Sequence, residues 1–129
     1  MIAEQYVDFN TAKMLKKAGF DVPCYSQYSE GMSVWNVEYS CNFNADVLGY
    51  SRPTQSLASR WIREAHAIHI LLTPLLDGWM VDLFDLNKYQ YILCNKGTMV
   101  DTYEEAFEEG LQEALRLIIK DKDNEQRND

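Results

Sequence analysis

Between Thr102 and Lys120 the apolar residues fall at Tyr103, Ala106, Phe107, Gly110, Leu111, Ala114, Leu115 and Ile118. With about 3.6 residues per helical turn they line up as a single stripe, which predicts a helix docked on an apolar surface. Thr102 and Glu105 have the spacing of a capping box, in which side-chain oxygens accept the first unpaired backbone N–H groups. Glu104, Glu105, Glu108 and Glu109 crowd the early turns and Arg116 and Lys120 the late ones, as the helix dipole favours.

A second helix is predicted over Phe9 to Ala18, with Phe9, Ala12, Leu15 and Ala18 on one side. Asp8 is suited to cap its start, Gly19 to end it in a left-handed conformation, and Phe20 to fold back on Leu15. A third helix opens with Pro53 in its first turn and runs to about Ala65, burying Leu57, Ala58, Trp61, Ile62 and Ala65. Period-two stretches predict strands at Ala67–Leu72, Trp79–Asp85 and Tyr89–Cys94, joined by turns at Asp77-Gly78 and Asn87-Lys88. Asn95-Lys96-Gly97 reads as a third turn before a short Thr98–Val100 piece. Trp35, Val37 and Tyr39 alternate with polar residues and place a strand at Ser33–Ser40. The remainder of 24–50 reads as loop pinned by aromatic rings.

The pattern defines an α+β domain, an antiparallel meander of three to four strands packed with three α-helices. One globular unit is expected over 1–120, with 121–129 a polar tail that frays. Trp79, Val81 and Leu83 point to one side of the meander and Met80, Asp82 and Phe84 to the other. Ile68, Ile70 and Leu72 likewise oppose Ala67, His69 and Leu71. Both faces are more apolar than a sheet with one wet side requires. Helices and the aromatic loop, or a second subunit, are needed to cover them.

The chain has 129 residues, 47% of them hydrophobic, enough for a real core in one domain. No apolar run approaches the roughly 20 residues that span a bilayer, and no signal-peptide pattern opens the chain. Cys24, Cys41 and Cys94 are odd in number and lack C-x-x-C spacing, which fits reduced thiols in the cytoplasm. A net charge of −8 repels phosphate backbones and anionic membranes on average.

Candidate chemistry is sparse. His66 and His69 are the two histidines; one ends a helix and the other sits in a strand, so convergence on a metal with Cys94 or a carboxylate is not expected. A Cys94 nucleophile would need His69 beside it as a base. The acidic pairs of the last helix read as its solvated face. No catalytic residue, metal site or cofactor is therefore assigned. Residues 45–65 have a helix-turn-helix cast, with Gly49 in the turn and Arg52, Thr54, Gln55, Arg60 and Arg63 as DNA contacts. Against it, Gln55 stands where such a motif buries an aliphatic residue, and Ser40–Asn44 makes a poor first helix.

The stretches Tyr6–Leu15 with Gly19-Phe20 and Pro23-Cys24, Pro53–Ala58 leading into Arg60–Glu64 and His66–Ile70, and Tyr103–Ala106 resemble a family of small uncharacterised proteins. These are encoded in prophages and mobile elements of gut anaerobic bacteria. The resemblance covers about two-thirds of the chain, leaves the aromatic loop unmatched, and rests on helix starts and core stripes. It implies a shared fold and a phage or mobile-element setting, and no activity. The expected function is that of a non-catalytic cytosolic interaction module, acting on a protein partner or by homodimerisation. Its surface would use Trp35, Tyr39, Trp79, Tyr89 and Tyr91, aromatic residues of the kind enriched at interfaces. A DNA-binding regulator is the alternative.

Overall fold

A computed structural model of the chain describes residues 2–94 and 99–127. Helix α1 (Phe9–Ala18) starts where Asp8 Oδ1 accepts from the Thr11 N–H at 2.8 Å. It ends on Gly19 at φ 98°, and the Phe20 N–H bonds back to the Leu15 carbonyl. Helix α2 (Gln55–His66) is capped by the Thr54 hydroxyl, so Pro53 lies just ahead of the helix rather than in its first turn. Ala67 is the left-handed terminator of α2, at φ 56°, rather than the first residue of a strand. Helix α3 (Tyr103–Arg127) opens with the Thr102 hydroxyl accepting from the Glu105 N–H. It continues helical through Arg127, beyond the expected end at Lys120, so the polar segment 121–127 is part of the helix.

With the three helices the strands make an α+β fold in two antiparallel three-stranded sheets, and the expected meander is the second of them. The first holds β1 (Cys24–Tyr28), β2 (Val34–Cys41) and β3 (Tyr50–Ser51) in the order β2-β1-β3. Strand β2 matches the one expected at Ser33–Ser40, while β1 and β3 lie in stretches expected to be loop. The second holds β4 (Ile68–Leu75), β5 (Gly78–Asp85) and β6 (Gln90–Cys94) in sequence order. The expected third turn and Thr98 fall outside the described residues. Val100 makes an isolated bridge to Trp79, with bonds of 2.8 and 2.9 Å.

Leu15, Phe20, Ile62, Val81, Leu83, Leu111 and Leu115 are fully buried, joining all three helices to the inner face of the second sheet. Helix α3 lies very close to that sheet. A Cβ on Gly110 would stand 2.6 Å from Ile70 Cγ2 and 3.0 Å from Val81 Cγ1, so the contact needs glycine. Contacts of Asp8 with Glu108, Thr11 with Gln112 and Lys17 with Lys122 show that α1 and α3 run parallel, side by side. The first sheet is attached by rings: Phe9 meets Tyr28 and Tyr50 edge-to-face at 5.6 and 5.5 Å, and the Tyr28 hydroxyl donates to the Val7 carbonyl.

Candidate interaction surface

Strand β2 is the outer edge of the first sheet, and all eight of its residues are exposed. Its register against β1 passes from Cys24↔Cys41 to Ser26↔Asn36, so the four residues 37–40 face the single residue Tyr25. Such a bulge bends the strand and re-aims its side chains. Tyr39, within it, is 82% exposed, and Trp35 beside it 60%.

Trp35 borders a surface hollow of about 450 Å³ shared with Gln27, Ser29 and the 46–49 segment. Val47 and Leu48, 87% and 68% exposed, stand on that wall. The wall is fastened from α1: the Lys16 ammonium donates to the carbonyls of Asp46, Val47 and Gly49 at 2.6, 3.2 and 2.7 Å. The same ammonium lies 4.9 Å from the centre of the Tyr50 ring. Two aliphatics side by side in a polar turn were the available signal for this wall. The Lys16 contact had none, since it joins residues some 30 positions apart.

Of the other expected surface aromatics, Tyr89 and Tyr91 are exposed and flank Phe84 edge-to-face at 5.2 and 5.1 Å. They lie on the second sheet, so the structure gives two separate aromatic groups. Trp79 belongs to neither. It is partly buried against the core and meets Tyr103 edge-to-face at 5.0 Å.

The segment 45–65 does not form two helices. Phe43–Ala45 is one 3-10 turn, no helix covers 46–48, and β3 occupies 50–51. Gln55 is buried and donates to the Glu104 carbonyl and to Glu108, which explains an amide where an aliphatic residue was expected. The Thr54 hydroxyl is the α2 cap, and Arg60 is paired with Glu64. Arg52 is drawn in between the rings of Tyr6 and Tyr28 at 4.1 and 5.4 Å, with its Nε buried and unbonded. Arg63 is half-buried on α2. These side chains are not presented together as a row.

The titratable groups are dispersed. His66 ends α2 and packs edge-to-face on Trp61, and burial, with Lys122 nearby, lowers its pKa. His69 lies on β4 opposite Phe84, its Nδ1 buried without a partner. Cys94 pairs with Asp82 on the far edge strand, β6. The central strand sets the backbones of His69 and Cys94 two spacings apart sideways, about 9.5 Å, and they are also offset along it, since one pairs with Phe84 and the other with Asp82. Burial, the neighbouring Cys41 and the opposing Ser51 hydroxyl leave the Cys24 thiol pushed up to about 11. Among the described residues no group of His, Cys, Asp or Glu is arranged to hold a metal, and no helix is long and apolar enough to cross a membrane.

At the N-terminal ends of the three helices, Glu108 accepts from the Asp8 N–H and from Gln55, and Gln112 donates to Thr11. Burial raises the Glu108 pKa and the Asp8 charge adds to it, while hydrogen bonds from Thr11, Gln55 and the Asp8 backbone oppose. Comparison of the chain with protein-family models, with curated proteins and with solved structures finds no match.

Proposed function

We propose that this chain is a non-catalytic cytosolic interaction module of phage or mobile-element origin, which docks a protein partner on β2 and the adjoining 46–49 wall. One observation carries the reading: an edge strand whose every side chain is exposed presents Trp35 and Tyr39 next to Val47 and Leu48. Large rings are costly to leave in water, and they supply most of the binding energy where a partner buries them. An edge strand also offers unpaired backbone groups to an incoming chain. The setting in a prophage or mobile element rests on the family resemblance. Tyr89 and Tyr91 with Phe84 form a secondary patch.

The test is co-purification from the host with the tagged parent and a Trp35→Ala, Tyr39→Ala double variant. The parent should retain a defined partner that the variant holds at least about tenfold more weakly. Equal retention by a folded double variant refutes the reading. Sedimentation at micromolar concentration separates a foreign partner from a second copy of the chain.

A further inference from the structure

Cys24 and Cys41 stand directly opposite each other where β1 and β2 pair. Both are free thiols; Cys24, on the central strand, is buried and Cys41, on the edge strand, is exposed. Opposed residues of antiparallel strands point to the same face with Cα atoms about 4.5–5.5 Å apart. A disulfide spans Cα separations of about 4.4–6.8 Å, so the register already meets the covalent requirement. The bulge at 37–40 borders Cys41 and leaves its backbone room to adjust. The third cysteine, Cys94, pairs with Asp82 in the other sheet.

We propose that Cys24 and Cys41 close a reversible cross-strand disulfide when the protein meets a small disulfide of the oxidised-glutathione type. Exposure sets the order of events. The Cys41 thiolate attacks one sulfur of the small disulfide, forming a mixed disulfide and releasing one thiolate. The Cys24 thiolate then attacks the Cys41 sulfur, the bond to the small thiol breaks, and a second thiolate leaves. The two protons lost by the cysteines are taken up by the two leaving thiolates. Two cysteines are oxidised and one small disulfide is reduced to two thiols. The second step is the slow one, because burial keeps Cys24 protonated near neutral pH, and it accelerates as the pH rises towards about 11. The bond would tie the outer end of β2 to β1 and close the chain between residues 24 and 41. This inference stands whether or not β2 docks a partner.

The experiment uses the full chain carrying Cys94→Ser, so that the two opposed thiols alone remain. It is treated with oxidised glutathione at about pH 7 and about pH 9, then alkylated and weighed. The expected product is a single chain lighter by about 2 Da, with Cys24 linked to Cys41 and formed faster at the higher pH. Its melting temperature should rise by roughly 10 °C and return on reduction. A further Cys24→Ser change should halt the reaction at a glutathione adduct on Cys41. A glutathione adduct that persists on Cys41 at about pH 9 in the chain retaining Cys24, or a link between two chains, overturns the proposal.

Discussion

The two sheets make an instructive pair. The second is locked to α3 by aliphatic side chains meshed so closely that a single methyl at Gly110 would collide with Ile70 and Val81. The first is held by the rings of Phe9, Tyr28 and Tyr50 and a few hydrogen bonds, and its outer strand touches solvent along its whole length. Stability is concentrated in one region, and unsatisfied surface in the other. A strand that contributes little to the core is free to carry residues chosen for something else.

The sharpest way to break this contrast is to cut into each region. Leu111→Ala or Leu115→Ala should cost about 2–5 kcal/mol, since each is fully buried at the α3 interface. Trp35→Ala, on the exposed strand, should change stability by less than about 0.5 kcal/mol. Denaturant titration measures both, and similar losses at the two sites would erase the distinction. Gly110→Ala is next in size. Alanine is the better helix former by about 1 kcal/mol, but overpacking against Ile70 and Val81 should outweigh that and leave a net loss of about 1–2 kcal/mol. A stabilised variant would show that α3 can lift from the sheet at little cost.

A smaller effect is expected at Glu108. Its raised pKa means that the fold disfavours the charged carboxylate, so the penalty is present above that pKa and vanishes as pH falls through it. Glu108→Gln keeps an oxygen for the Asp8 N–H and should melt higher than the parent at neutral pH. The advantage should shrink as the pH drops toward the ordinary glutamate range. A constant gap across that range would assign the effect to packing instead. Smallest of all, Lys16→Met should leave global stability nearly unchanged while amide exchange at 46–49 speeds up, because the three carbonyls lose their donor.

What could be read from the residues follows the same divide. Helix α1 was legible down to its Asp8 cap and Gly19 terminator because those signals lie within a turn of each other. The α3 stripe was legible too, although polarity concealed the helical character of 121–127. Strand β1 was missed because Cys24, Ser26 and Tyr28, its buried residues, are weakly hydrophobic, and because a bulge disrupts its pairing. The meander was legible and the first sheet was not, because its pairing partners are chosen across the chain, not along it. Alternation placed Trp79 on the same side as Val81 and Leu83, and only the packing of α3 showed that this side is the inner one. Gln55 was visible as an anomaly, but the groups that explain it, Glu104 and Glu108, lie about 50 residues away.

The parallel pairing of α1 with α3 bears on how the polypeptide is made. Asp8 meets Glu108, and Thr11 meets Gln112, across 100 and 101 positions. While a ribosome is still adding the strands, the side of α1 that α3 will cover lacks that partner, although Phe9 can already meet Tyr28 and Tyr50. Contacts of such long sequence separation slow folding, because the closure entropy must be met before any packing rewards it. Completion of this part of the core therefore waits for α3. Until α3 arrives, Leu15 and the inner face of the second sheet lack part of their cover.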